Sequence, residues 1–598
     1  MAVQGYDYAD IGGGINAGSA PAAIQSREMS ALRNFYPYQT RLRRRGGLRR
    51  ITTGGAWDQN ITGMFPYSTS NGDWFLIVAG PTKFGRLNIN SIADLSLAAG
   101  ISIPSNLYPW VVFQYKDYIY AMKKDGGGLY RLTSTVAQRA GIAAPASAPT
   151  LADGGAGALS AATYRGVYTN YNIETAIESN PSPEGSLALG ASKMIDWSAV
   201  AISTNPFVNA RRIYRSIPDQ VGVYFFVDSI LNNIATTYIG DNVGVADLGR
   251  TVSFENGLPP SDLQVGVVWN ERLFASDGLD LFFSSLLMVE AFGDENRIPV
   301  YPNDGHQLRA LHPFGDRLII GKTNKVHYLV GTGSSTSAFG LYVLEDKHGC
   351  MSHHSMQSAE NQLFWYGSGK SVFWSDGSSV KDISTPRISS ILAEIPDELE
   401  EYVVAATFPK LNWYVMSVPQ TGYTTNRKVL VYDYKKSSWT VFDHPSDAPQ
   451  FITDFFNSNY GHLLYSTLYD GHIYHYNDDT YPTDFGTQIE ASFTTKADDF
   501  NLPGYRKYMD ELWLLAPRVQ GTHTLKLEVL QDEGEISATR NVSLDVPDAD
   551  WKAYKLPTMG RPGTKLQTRV TYTGNDRIDV DQLHFEVGTT QRRPGQPR

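Results

Sequence analysis

The 598-residue chain holds one cysteine, Cys350. A single thiol excludes an intrachain disulfide and any cysteine-rich metal cage. Charged residues are scarce, at 19%. No apolar run reaches the roughly 18 residues that a spanning helix needs. The opening, Met1-Ala-Val-Gln-Gly-Tyr-Asp-Tyr, has neither a basic nor an apolar leader segment. The expectation is therefore a chain made and folded in a cytoplasm. Basic residues are outnumbered 51 to 61, for a net charge of −10. That balance argues against a surface that grips nucleic acid tightly. It still allows DNA to pass close by, because a negative wall repels phosphates. Gly-x-Ser-x-Gly elbows, phosphate loops and His-Glu-x-x-His pairs are all absent, so the sequence shows none of those catalytic signatures.

What is abundant is aromatic: 35 Tyr, 26 Phe and 11 Trp, with 54 Gly and 31 Pro punctuating short segments. That profile predicts an all-β protein with many turns. Paired strands recur at a nearly fixed step. Each unit runs like Arg272-Leu-Phe-Ala-Ser followed by Leu281-Phe-Phe-Ser-Ser. Units start at 272, 317, 362, 412 and 462, with steps of 45, 45, 50 and 50; two earlier units start at 74 and 118, 44 apart. A β-propeller blade takes about 40–50 residues. The fold class expected is all-β: a β-propeller of about seven blades, an inserted fibronectin- or immunoglobulin-like β-sandwich, and a C-terminal β-sandwich.

Composition shifts set the boundaries. Residues 1–55 form an N-terminal arm, with a short helical stretch expected around 24–35 from Ser26 as an N-cap ahead of Glu28. The first blades occupy 56–143. Ala143-Ala-Pro-Ala-Ser-Ala-Pro149 reads as a linker, opening an inserted sandwich over 144–258. The remaining blades take 259–485, interrupted near 386–396 by Ile388, Ile391, Leu392 and Ile395 at helical spacing. Long alternating strands over 486–590 predict the second sandwich, and 591–598 a flexible tail.

Few residues invite chemistry. His348-Gly-Cys-Met-Ser-His-His354 is the densest group of possible metal ligands. Adjacent strand residues point to opposite faces, so the reading is structural. Asp277, Asp316, Asp376, Asp433 and Asp470 sit at blade ends and raise a glycosidase hypothesis. Four of the five lie beside glycine, where a turn aspartate is expected. Asp125-Gly-Gly-Gly128 is likewise turn chemistry. No catalytic, cofactor-binding or metal residue is assigned. The strongest charge run is Arg41-Leu-Arg-Arg-Arg-Gly-Gly-Leu-Arg-Arg50. Against the acidic background, Arg41, Arg43, Arg44, Arg45, Arg49 and Arg50 are expected to make a protein contact rather than a DNA-binding surface.

Gly12-Gly-Gly-Ile-Asn16, Ala31-Leu-Arg-Asn-Phe35 and Gly46-Gly-Leu-Arg-Arg50 resemble the opening of tail proteins from short-tailed double-stranded DNA phages. Tyr168-Thr-Asn-Tyr, Glu178-Ser-Asn-Pro-Ser-Pro183 and Arg211-Arg-Ile-Tyr-Arg-Ser216 resemble the same family's inserted module, and Phe500-Asn-Leu-Pro-Gly-Tyr-Arg-Lys507 its C-terminal region. The family is the tail nozzle, or tail tubular protein B. The resemblance implies a homohexameric ring below the head-to-tail adaptor, docking tail fibres or spikes. Genomic double-stranded DNA would pass through its lumen without sequence-specific binding. It implies a virion location after assembly in the host cytoplasm, no cofactor, and no catalytic residue, hence a chain that is not an enzyme. The alternative is a propeller that binds or cleaves surface glycans.

Overall fold

The computed structural model describes residues 3–53, 57, 60–72, 74–88, 91–98, 101–333, 335–444, 451–453, 464–466, 471–478, 480–484, 486–517, 523–532, 534–544, 551–557 and 561–592. His462 at the start of the last repeat unit, Asp470, and residues 593–598 of the expected tail lie outside them.

Among the described residues the chain is an all-β propeller of seven blades, each built on four strands, with Ser96–Leu97 adding a fifth to blade 2 beside Val136–Arg139. Blade 1 is Gly63–Ser68, Trp74–Ala79, Phe84–Asn88 and Ser91–Asp94. Blade 2 runs from Val111–Tyr115 to Val136–Arg139, blade 3 from Val265–Trp269 to Arg297–Ile298, and blade 4 from Leu308–Phe314 to Phe339–Glu345. Blade 5 runs from Gln357–Ala359 to Val380–Asp382 and blade 6 from Val404–Phe408 to Ser438–Asp443. Blade 7 holds Phe451–Thr453, Leu464–Ser466 and Ile473–Asp478. Its fourth strand is Gly47–Arg50 from the N-terminal arm, antiparallel to Ile473–Asp478. The first strand of blade 7 lies beside those of blades 6 and 1, so the ring closes. The repeat units read from the sequence are the second and third strands of these blades.

The interior between blades is aromatic. Trp110, Trp365, Trp413 and Trp439 are fully buried, and each such side chain contributes about 1.5–3 kcal/mol or more on leaving water. One ion pair bridges blades 2 and 3. Arg131 Nη1 donates to Glu290 Oε1 at 2.8 Å, both side chains fully buried, and Tyr120 Oη donates to the same oxygen.

The inserted sandwich packs Thr150–Leu159, Lys193–Ser198 and Tyr238–Asp241 against a second sheet of Gly185–Leu189, Ala162–Tyr171, Ala210–Arg215 and Phe225–Ile230. Trp197, Tyr168 and Ile213 fill its core. The ends of the insert meet, for Gly141 lies against Leu258 and Pro259. In the C-terminal sandwich, one sheet holds Val3–Tyr8, Gln582–Arg592, Tyr505–Pro517 and Trp551–Pro557. The other is continuous with blade 6. Ala31–Arg33 lies between Ser438–Asp443 and Glu490–Thr494, joining both into nine strands.

Two helix expectations change. Residues 24–35 hold no helix: Ala31–Arg33 is a strand and Phe35–Tyr38 begins the next. Glu28 turns inward and accepts from Asn16 Nδ2 and from the Gln25 N–H, both at 3.0 Å, which holds a turn instead. Around 386–396 the helix is a single turn, Ser389–Leu392, with Ile388, Leu392 and Ile395 buried as the spacing predicts. Among the described residues no helix is long and apolar enough to cross a membrane.

Candidate functional site

The arginine run folds inward. Arg44 and Arg45 are each 1% exposed. Arg45 Nη1 donates to Asp484 Oδ1 at 3.0 Å, its second amino group also donates to that carboxylate, and His444 Nδ1 lies 3.7 Å away. Burial works against the Asp484 carboxylate, yet Arg45 and His444 hold it well below the ordinary range. Arg44 has no carboxylate of its own; its amino groups donate to the carbonyls of Pro482, Gly574 and Asp576. Burial lowers it to about 10. Arg43 makes a two-pronged contact with Asp579, 2.7 Å at each prong, and Arg41 Nε donates to Asp581 at 2.9 Å. Arg49 and Arg50 lie on the strand that completes blade 7. Within the chain, Arg43, Arg44 and Arg45 are thus all engaged. Their charges are satisfied by the chain's own C-terminal residues, because β-pairing of the arm places them there.

The other opening motifs meet at the same joint. Gly14 sits at φ 77° beside Trp439; a Cβ there would lie 2.6 Å from the Trp439 carbonyl oxygen. Asn34 donates to the Glu490 carbonyl and accepts from Arg45 Nε and the Asp443 N–H. Gly47 fits against the Tyr481 and Thr483 carbonyls.

A second candidate lies on the propeller axis. The inner strands of the blades enclose a cavity of about 450 Å³, walled by apolar residues including Phe65, Trp110, Phe113, Val267 and Ala405. Its polar groups are chiefly His312, His353 and His354. The Leu311 N–H donates to His353 Nδ1 at 3.4 Å, and His312 Nε2 meets Ser358 Oγ at 3.0 Å. Burial lowers His312 and His354 to about 4. It lowers His353 further, with its two neighbouring imidazoles adding to the effect. All three are neutral at pH 7. Among the described residues no carboxylate lines this cavity, and glycoside hydrolysis uses paired acids.

At one mouth, where the inner strands begin, Glu401 accepts from Lys124 Nζ at 3.1 Å and from Arg309. Lys124 Nζ lies 4.5 Å from the centre of the Tyr108 ring, which stacks on Tyr402 at 5.8 Å. Residues from blades 2 and 4 and from the segment before blade 6 thus meet beside the axial cavity. Sequence spacing concealed this group, since its members lie far apart along the chain. The blade-end aspartates hold turns. Asp277 accepts from the N–H groups of Leu279 and Asp280, Asp376 from Ser378 and Ser379, and Asp433 from Lys435 and Lys436. Asp316 is 92% exposed beside Arg317.

No protein-family model matches the chain, and no curated protein matches it. Solved structures do. AztD from Citrobacter koseri in its apo form is similar at 9% identity over 67% of this chain and 95% of that one, with a TM-score of 0.29. An exo-beta-1,3-galactanase from Phanerochaete chrysosporium is similar at 7% identity over 91% and 100%, TM-score 0.21. A glycoside hydrolase family 43 arabinoxylan arabinofuranohydrolase from Bacillus subtilis is similar at 10% identity over 92% and 96%, TM-score 0.18. The expectation that the chain is not an enzyme is corrected here, because two of these three similar structures are glycan-cleaving enzymes. At such TM-scores the likeness carries neither activity nor substrate to this chain.

Proposed function

We propose that this chain is a tail-nozzle subunit of a short-tailed double-stranded DNA phage. Six copies would form a ring below the head-to-tail adaptor, conduct the genome, and dock fibres or spikes. The observation that supports the reading is the joint. The three opening motifs on which the resemblance rests converge on one shape-critical junction of arm, blades 6 and 7, and C-terminal sandwich. Six copies would carry a charge of −60, and a negative wall lets DNA slide. On this reading the inserted sandwich would make the lateral contacts, and its Leu231, Ile234 and Ile239 are 72%, 79% and 66% exposed. Quantitative mass spectrometry of purified particles tests this. About six copies per particle are expected; absence of the chain from the particle overturns the reading.

A second reading is a propeller that recognises a surface glycan. The axial mouth favours it, since the stacked Tyr108 and Tyr402 lie beside Lys124, Arg309 and Glu401, an aromatic plate edged with hydrogen-bonding groups. Saccharide binding that is lost on Tyr108→Ala supports this reading. Binding that persists in that variant contradicts it.

A further inference from the structure

Beside the axial cavity lies a smaller pocket whose charges do not balance. About 50 Å³ of space is bordered by Tyr108, Lys124, Arg309, Met351, His353 and Glu401, among others. Lys124 follows the second strand of blade 2, Arg309 lies on the first strand of blade 4, and Glu401 sits in the 3₁₀ turn Asp397–Tyr402 ahead of blade 6. Among the described residues lining it, Lys124 and Arg309 are cations and Glu401 is the one carboxylate. Burial keeps His353 and His354 neutral at pH 7. Two cations against one anion leave the wall at +1. Away from bulk water such a charge acts more strongly.

The hydrogen bonds are unbalanced in the same sense. Glu401 is already engaged: Lys124 Nζ lies 3.2 and 3.1 Å from its two oxygens, and Arg309 Nη1 donates to Oε2. Donors remain. An ammonium carries three N–H groups, so at least one on Lys124 is unused. Arg309 carries five, and its Nε is buried without an acceptor. The Leu311 N–H donates to His353 Nδ1, which places the His353 proton on Nε2. That second N–H has no acceptor among the described residues. The ammonium is held in place, 4.5 Å from the centre of a Tyr108 ring that is itself stacked on Tyr402.

We propose that this pocket binds a small oxyanion, a carboxylate or phosphate group seated against Lys124, Arg309 and His353. Unused donors beside surplus positive charge are matched by an acceptor that brings negative charge, and such bonds are the strong ones. A cation would meet Lys124 and Arg309 unshielded. A neutral molecule would occupy the donors and leave the charge uncompensated. The space holds roughly four waters, the size of a carboxylate or phosphate group. The pocket borders the tyrosine stack of the second reading but depends on no saccharide, since a free anion satisfies it.

Isothermal titration calorimetry of the full chain at pH 7 tests it. Sodium phosphate and sodium acetate are the probes, and sodium chloride at matched ionic strength is the reference. At least one probe should bind one to one; the tighter of the two tells a tetrahedral anion from a planar one. Arg309→Gln should weaken binding about tenfold or more, because a charge-assisted donor is lost. Glu401→Gln should tighten it at least about threefold, because the competing carboxylate is gone. A Glu401 that served the fold alone would not have that effect. The proposal is overturned if neither probe binds above the chloride reference, or if Glu401→Gln leaves affinity unchanged or lower. The second criterion holds even where Arg309→Gln does not fold. Saccharide binding, read through Tyr108→Ala, fails or stands separately from phosphate binding. None of these outcomes bears on the copy number that tests the nozzle.

Discussion

Arg45 shows what a charge costs and does inside this protein. Its guanidinium is out of water and is held by Asp484, the Asn34 side chain and the Asp443 carbonyl. Removing one partner of a buried pair leaves an uncompensated charge, at about 3–5 kcal/mol. Asp484→Asn should therefore lower unfolding free energy by about that much in a denaturant titration. Gly14→Ala should cost about 1–3 kcal/mol, because it strains a left-handed backbone against Trp439. Acid acts through two sets of groups. The Asp484 value is depressed on folding, so its contribution stands above the unfolded carboxylate value of about 3.9 and is lost as pH falls below it. His312, His354 and His327 have folded values near 4, against about 6.5 unfolded. Between those values the unfolded chain binds more protons, so stability falls as pH drops from about 6.5 to 4. Urea midpoints measured across that range should decline, and the paired change His312→Gln with His354→Gln should flatten the decline.

At the scale of strands, the propeller was legible because its second and third strands are hairpins whose β-formers and glycine turns are local. Arg317–Lys322 with Val326–Gly331 is one such pair. The inner strands were harder to see. Pro66 and Pro313 interrupt them, and their cavity-facing residues break simple alternation. The strand that closes blade 7 could not be seen at all, since Gly47–Arg50 pairs with a segment more than 400 residues away. The arginine run was visible as charge, but its burial depends on the same long-range pairing. Trp513 stood in a strand whose alternation already placed it opposite Leu512 and Leu514. Removing residues 1–50 should open the ring at blade 7. Amide exchange in Ile473–Asp478 should then rise at least about tenfold, and unchanged protection would contradict the closure.

At the scale of the whole molecule, three modules share one frame. The arm runs through the propeller and the C-terminal sandwich and buries Ile11, Leu32 and Phe35 in a core with Tyr414, Trp439, Leu512 and Phe585. The inserted sandwich touches blade 2 at one point, where the Phe207 ring lies 3.1 Å from the Arg131 guanidinium. Its ends meet at Gly141 and Leu258, so replacing residues 147–256 with a short flexible linker should leave the propeller folded. Its melting temperature should shift by no more than a few degrees, about the effect of 1 kcal/mol, and the proposed ring contact through Leu231, Ile234 and Ile239 should go with it. The central claim, that this chain is built to stand in a ring around DNA, is tested most directly by a cryo-electron microscopy map of the particle that contains it. The account predicts six copies on the tail axis below the head-to-tail adaptor, with inserted sandwiches touching their neighbours. Density at the particle periphery, or copies unrelated by an axial ring, would contradict it.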